Sequence, residues 1–186
     1  MLTTELSNQD PLNPMDTTQF TNQLINLSSM EQMLSMNDKL STIANDFSSL
    51  TSANGVSYIG KSVEATGNVN ELTNNSAEWG YSLATTAKST TLNVTDSSGN
   101  VVYSQSGDTS SGNHTFTWNG INSSGTQLSS GAYTLSVSAV DSSGSKVTNS
   151  TSIYGTVTGV DTSSGTTELD IGSVAVSLSN ILKVTS

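Results

Sequence analysis

The most conspicuous absence from this chain is cysteine, because none of its 186 residues carries a thiol. A disulfide framework, a thiolate metal site and a cysteine nucleophile are therefore all excluded from its chemistry. The fold must be held together by packing and hydrogen bonds alone.

Arginine is also absent, so the positive charge of the chain comes from lysine alone. Five lysines stand against fifteen carboxylates, which gives a net charge of -10. The chain thus lacks the basic surface that grips nucleic-acid phosphates, and nucleic acid is not expected among its partners. No apolar run approaches the roughly 20 residues that a membrane-spanning helix needs, so membrane insertion is not expected either.

The first thirty residues lack the features of a cleavable secretory signal. They have no basic start and no continuous apolar core. Only 11% of all residues are charged, and Ser, Thr, Asn and Gly dominate the remainder, a composition typical of extracellular β-rich proteins. If the protein leaves the cell, we expect a route other than the general secretory one.

Residues suited to catalysis or metal binding are few. The single histidine, His114, has no second histidine and no cysteine with which to bind a metal or build a catalytic triad. Asp161, Glu168 and Asp170 are close in sequence but lack the spacing of a calcium-binding loop. A glycine-rich phosphate-binding motif is missing as well. We therefore predict no catalytic, cofactor-binding or metal-binding residues, and an enzyme is the least favoured class of function.

The N-terminal region is expected to consist of an extended segment followed by a long helix. Pro11 and Pro14 disfavour the helical conformation at the residues before them, so residues 1–15 are predicted to be extended or disordered. Asp16 is suited to cap a helix that ends at Asn54-Gly55. At 1.5 Å per residue, a helix from residue 16 to about 52 would be roughly 55 Å long.

Apolar residues recur along this helix at helical spacing. A first row ends near Ser28-Ser29, where the register slips and a kink or break is expected. From Met36 to Leu50 the intervals alternate between four and three residues, as in the heptad repeat of helices that pack on other helices. Because the helix is too long to pack fully on its own chain, we predict an interface with other subunits. The alternative is a helix folded back on the β region. The predicted interface residues are Phe20, Leu24, Leu27, Met30, Met33, Met36, Leu40, Ile43 and Phe47.

The stretch from His114 to Ala139 shows the two-residue alternation of half-buried strands. Phe116 and Trp118 alternate with threonines in its first run, and Tyr133 and Leu135 alternate with hydroxyl residues in its second. Asn-Gly and Ser-Gly pairs between the runs favour a chain reversal between paired strands. Seven short strands between residues 79 and 152 predict an immunoglobulin-like sandwich.

Further strands are predicted on both sides of the sandwich, at residues 56–63 and beyond Tyr154. They are too many for a completed sandwich, and the simplest arrangement joins them in a small β barrel. The predicted fold is mainly β with an N-terminal α-helical segment, and its Ig-like sandwich is inserted into that barrel. The predicted units are residues 1–54 for the N-terminal segment and helix, 55–78 with 151–186 for the barrel, and 79–150 for the sandwich.

Several motifs resemble those of one protein family. Asn8-Gln-Asp-Pro-Leu-Asn-Pro-Met-Asp16, followed by Gln23-Leu24 and Glu31-Gln32, closely resembles the N-terminal signature of the flagellar hook-capping proteins, the FlgD family. Phe116-x-Trp118-x-Gly120 and Gly131-x-Tyr133 are similar to that family's Ig-like (fibronectin III-like) insert. Ile59-Gly60-Lys61 and Gly155-x-Val157 resemble the two pieces of its Tudor/SH3-like barrel.

The resemblance implies a scaffold that leaves the cell through the flagellar type III export apparatus. It implies a homo-oligomeric cap, a pentamer, at the distal end of the growing hook, where it guides hook subunits into place. The rival interpretation is an extracellular Ig-like adhesin or carbohydrate-binding module. In that case Trp79, Tyr81, Trp118 and Tyr133 would form an exposed platform, whereas their alternation favours burial.

Overall fold

The computed structural model describes residues 17–163 and 165–185. The chain divides into two compact units, of which the first ends at Phe47 and the second begins at Ser48. The predicted extended segment and the predicted cap, Asp16, lie outside the described residues.

A single long helix, α1, spans Thr17–Val56. It is continuous through Ser28-Ser29, so the break expected there is wrong. The hydroxyl of Ser29 donates to the carbonyl of Ile25 at 2.8 Å, which satisfies this polar side chain within the helix. Two serines are thus accommodated without interrupting the backbone hydrogen bonds.

All strands of the described residues follow α1 and pair antiparallel. A short 3₁₀ helix, Leu178–Asn180, precedes the last of them. The strands are β1 (Ser62–Thr66), β2 (Val69–Leu72), β3 (Ala77–Leu83), β4 (Ser89–Thr95), β5 (Val101–Ser106), β6 (Gly112–Trp118), β7 (Gly131–Val140), β8 (Asn149–Thr156), β9 (Gly159–Asp161), β10 (Glu168–Ile171), β11 (Val174–Ser177) and β12 (Ile181–Thr185).

Two sheets form the predicted sandwich. One has the strand order β12-β1-β8-β3-β6 and the other the order β2-β7-β4-β5. Alternate side chains of both sheets share one core, in which Trp79 and Phe116 of the first sheet join Leu92 and Leu135 of the second. The predicted mainly β fold with an N-terminal helix and an Ig-like sandwich is confirmed.

The strands of the His114 to Ala139 stretch do not pair with each other, and this expectation is corrected. β6 pairs with β3 in the five-stranded sheet, whereas β7 pairs with β4 and β2 in the four-stranded sheet. Residues 119–130 therefore carry the chain from one sheet to the other. Gly120, at φ 78°, turns the chain just after β6 in a conformation that glycine adopts without strain.

The expected closed barrel is also corrected, because the described strands form only open sheets. β8 is long enough to pair with β3 along one edge and with β1 along the other, so the flanking strands extend the sandwich. β9, β10 and β11 form a separate three-stranded sheet. The division into residues 55–78 with 151–186 and residues 79–150 stays a prediction, and β3 and β8 each cross one of its boundaries.

Candidate assembly surface

The large apolar side chains of α1 are exposed from Phe20 to Leu50. Their exposed fractions run from 36% at Phe20 to 66% at Phe47. Scattered exposed apolar residues are ordinary, but a succession of them along one element marks a surface for contact with another molecule. All nine predicted interface residues are among them: Phe20, Leu24, Leu27, Met30, Met33, Met36, Leu40, Ile43 and Phe47. Their role in assembly stays a prediction.

The apolar residues lie on two faces of the helix. At about 100° per residue, Phe20, Leu24 and Leu27 lie roughly opposite the later residues. Six of the later residues fall within about 100° of the helix circumference, the width of a stripe that packs against another helix. We call this stripe the seam, and it consists of Met33, Met36, Leu40, Ile43, Phe47 and Leu50.

Three further large apolar residues between Phe20 and Leu50 are exposed but were not among the predicted interface residues. They are Ile25, Leu34 and Leu50. Ile25 precedes Met36 by eleven residues, which is about three helical turns, so it continues the line of the seam. Helical spacing applied across Ser28-Ser29 would have found it, and the expected break at that point concealed it.

Charged residues are sparse on α1, and none of them is a seam residue. Those among residues 17–56 are Glu31, Asp38, Lys39 and Asp46. Glu31 and Asp38 share one face, since seven residues separate them. Lys39 and Asp46 border one edge of the seam, but no seam residue is itself charged. The seam therefore favours an apolar partner surface, because a partner's charge buried on it would lack a counterion.

The last turn of α1 belongs to the second unit and packs beside the three-stranded sheet. Gly55 is buried, and a Cβ at this position would lie 3.0 Å from side-chain carbons of Val160 and Thr167. The hydroxyls of Ser52 and Thr167 lie 3.4 Å apart. After the turn, the N–H of Gly60 donates to the carbonyl of Val157 at 2.8 Å. These contacts fix where the helix ends.

The aromatic residues on which the adhesin interpretation depended are core residues. Trp79 and Trp118 are 0% and 2% exposed, and Tyr81 and Tyr133 are buried too. Each indole N–H donates to a backbone carbonyl, that of Asn68 for Trp79 and that of Ile121 for Trp118. They form no exposed stacking platform, so the rival interpretation has no support.

The other chemically notable groups have local structural partners. The Nε2 atom of His114 lies 2.8 Å from the carbonyl oxygen of Ser110, and its Nδ1 atom lies 3.7 Å from Asp108. Burial raises the pKa of the Tyr81 phenol, whose oxygen accepts the N–H of Asp108. Asp161 lies opposite Glu168 in the backbone register of the antiparallel strands β9 and β10. Among residues 17–163 and 165–185 we find no group of three or more acidic, histidine or cysteine side chains placed to hold a metal ion, and no helix long and apolar enough to cross a membrane.

Two sequence models of one family match this chain. The model described as the N-terminal region of the flagellar hook capping protein matches residues 1–42, and the one described as the FlgD Ig-like domain matches residues 67–143. The "Basal-body rod modification protein FlgD" of Salmonella typhimurium is 31% identical over 138 residues, which cover 69% of this chain and 59% of that protein. The chain belongs to the FlgD family.

Solved structures of FlgD proteins share the fold. FlgD from Xanthomonas campestris superposes with a TM-score of 0.61 at 24% identity, covering 72% of this chain and 99% of that chain. FlgD from P. aeruginosa gives a TM-score of 0.59 at 21% identity, covering 69% and 98%. The chain spans about three fifths of the length of the curated FlgD relatives that it matches.

Proposed function

We propose that this chain is a non-enzymatic scaffold that caps the growing flagellar hook and guides hook subunits into place. Membership of the FlgD family supports the proposal, as does the description of its relatives as hook-capping and rod-modification proteins. The cap is a homo-oligomer, a pentamer by the family resemblance, at the distal tip of the hook. Its partners are further copies of itself, the hook subunits and the flagellar type III export apparatus.

The observation that carries the proposal is the exposure of the seam. Met33, Leu40 and Phe47 are 65%, 57% and 66% exposed, although each would gain about 1.5–3 kcal/mol of transfer free energy on burial, before ordering costs. Covering this surface with another apolar surface is therefore favourable.

The pattern of the seam favours bundles of more than two helices. Its intervals place Met33, Leu40 and Phe47 at the first apolar heptad position and Met36, Ile43 and Leu50 at the second. Leucine at the first and isoleucine at the second shift parallel helices from dimers towards larger bundles. A ring of several copies therefore suits Leu40 and Ile43 better than a pair of copies does.

The test is a double substitution, Leu40→Asp with Phe47→Asp, introduced into cells that depend on this protein for their hooks. We expect hook growth to stop, because two carboxylates would have to be buried unpaired in the contact. The matched control is Ser35→Asp with Thr42→Asp, which adds the same charge at the same seven-residue spacing on the face of Glu31 and Asp38.

The control variant should build hooks of normal length, as seen by electron microscopy of detached hooks. Both variants should keep the thermal transition of the β region where the unsubstituted protein has it. Normal hooks with Leu40→Asp and Phe47→Asp would show that the seam has no part in capping. A lowered thermal transition in that variant would instead favour a helix that packs on its own chain.

A further inference from the structure

All the sulfur of this chain is in methionine, and all the methionines lie near the N-terminal end. The chain has five methionines and no cysteine. Those within the described residues are Met30, Met33 and Met36, which occupy two turns of α1. The β region after α1 contains none. Sulfur chemistry is therefore confined to the helix and the residues before it.

These three thioethers are open to solvent. Their side chains are 62%, 65% and 61% exposed at Met30, Met33 and Met36. The spacing of three residues makes each a neighbour of the next on the helix surface, so they form one ridge. Exposed methionine is readily oxidised to the sulfoxide, which is polar and can be reduced back enzymatically.

We propose that the Met30, Met33 and Met36 ridge is a redox-sensitive modification site, and that its oxidation by a peroxide prevents assembly through the seam. The inference rests on the proposed self-association of α1. In each event one oxygen atom passes from hydrogen peroxide to one thioether sulfur. The peroxide O–O bond breaks, a sulfur–oxygen bond forms, the sulfur loses two electrons, and water leaves.

The effect follows from the position of two of these residues in the seam. Met33 and Met36 share it with Leu40, Ile43, Phe47 and Leu50, whose side chains offer no hydrogen-bond donor to a sulfoxide oxygen. Burying a polar oxygen among these apolar side chains is unfavourable, so each oxidised seam methionine should weaken self-association by about tenfold or more. Once assembled, the same sulfurs would be covered, so the site responds to oxidant before assembly and not after it.

The β region supplies an internal control for this chemistry. It has no methionine or cysteine, and its two tryptophans are 0% and 2% exposed. Mild peroxide should therefore change the methionines and leave the sandwich as it was. An effect on association without an effect on the thermal transition of the β region would locate the change in the N-terminal part of the chain.

The experiment treats the purified full-length chain with hydrogen peroxide, removes the peroxide with catalase, and locates each added oxygen by peptide mass spectrometry. Association is then measured by sedimentation over a range of concentrations. The matched variant Met30→Leu/Met33→Leu/Met36→Leu keeps Met1 and Met15 but carries no ridge sulfur. A second variant, Met33→Gln/Met36→Gln, places polar side chains in the seam without any oxidant.

We expect peroxide to weaken self-association of the unsubstituted chain by tenfold or more and to leave that of the triple leucine variant unchanged. The double glutamine variant should associate as weakly as the oxidised chain, and methionine sulfoxide reductase should restore association. Normal association of a chain carrying sulfoxide at all three ridge positions would overturn the inference, as would an equal peroxide effect on the triple leucine variant. If the untreated chain and the leucine variant are both monomeric at every concentration, the proposed self-association itself fails, and the inference fails with it.

Discussion

Trp118 shows how one residue connects the two sheets of the sandwich. It ends β6 in the five-stranded sheet and is 2% exposed. Its ring and that of Tyr133 from the four-stranded sheet make a T-shaped contact, with centroids 4.9 Å apart, and its N–H donates to the carbonyl of Ile121 at 2.9 Å. Removing the indole would leave a cavity between the sheets and an unpaired carbonyl.

Trp118→Ala should lower the free energy of unfolding by about 3–5 kcal/mol, the usual effect of removing a large aromatic from a core. Since domains of this kind are stable by only about 5–15 kcal/mol, urea titration should show a large fall in the midpoint. Val101→Ala is the control, because Val101 is 59% exposed and should change stability by about 0.5 kcal/mol or less. An unchanged midpoint for Trp118→Ala would contradict the assignment of this residue to the core.

Three turns of the second unit share one hydrogen-bond arrangement. The Oδ1 atoms of Asp96, Asn122 and Asp141 each accept backbone N–H groups two and four residues later, at distances between 2.8 and 3.0 Å. Hydrogen bonds from Asn100 hold the pKa of Asp96 below its ordinary value. A hydrogen bond from the Ser143 hydroxyl is the largest cause of the lowered pKa of Asp141. Asn122 makes the same turn without a titrating group.

The double change Asp96→Asn with Asp141→Asn should therefore reduce the loss of folding stability on acidification. A lowered carboxyl pKa stabilises the fold above the unfolded-state pKa of about 3.9, and this stabilisation is lost as pH falls through the lower folded-state value. Asparagine keeps the Oδ1 atom that accepts the two backbone N–H groups but does not titrate. Asn122 already makes the same turn in this way. Urea midpoints measured between neutral pH and about pH 3 should fall less in the variant. An identical fall in both proteins would mean that these carboxylates do not contribute to acid sensitivity.

At the scale of elements, the junction between α1 and the three-stranded sheet depends on a residue without a side chain. Gly55→Val would place methyl groups against Val160 and Thr167, which already lie 3.0 Å from the position of a Cβ. We expect a loss of about 1–3 kcal/mol in the free energy of unfolding, because overpacking forces neighbours to move. Ala53→Val is the matched control, since Ala53 is exposed in the same last turn. Equal stability of the two variants would show that the junction tolerates a side chain.

Local patterns predicted the elements better than the way they combine. The two-residue alternation around Trp79 and Tyr133 identified core residues, because a strand in a sandwich buries every second side chain. The same alternation carries no information about which strand lies beside which, and β6 and β7 were wrongly expected to pair for that reason. The helix was predicted from spacing, but the slip of the apolar register near Ser28-Ser29 was wrongly taken to indicate a break. The apolar residues change face there while the backbone stays helical, and the Ser29 hydroxyl bonds to the preceding turn.

The candidate assembly surface was accessible from the sequence because it is a property of one helix. Apolar residues at heptad spacing can be recognised without knowledge of tertiary packing. The absence of a closed barrel could not be foreseen in this way. It depends on β8 pairing with β3 on one side and β1 on the other, which is a long-range choice between partners.

At the scale of the whole molecule, we propose that the residues before α1 carry the signal for export. Deleting residues 2–12 should stop secretion through the flagellar route and leave the urea midpoint of the folded part unchanged, because α1 and every strand of the described residues come after the deleted segment. The measurement is the amount of protein in the culture medium relative to the amount inside the cells. A deletion variant that is secreted as well as the full chain would remove the export proposal.

We propose that copies of this chain associate through the seam. The most direct measurement is the mass of the purified full-length chain in solution over a range of concentrations, beside the variants Leu40→Asp/Phe47→Asp and Ser35→Asp/Thr42→Asp. We predict a concentration-dependent oligomer for the unsubstituted chain and for the Ser35/Thr42 variant, and a monomer at every concentration for the Leu40/Phe47 variant. A monomeric unsubstituted chain throughout, with the amides of residues 33–50 already protected from hydrogen exchange, would contradict the claim and place the seam against its own chain.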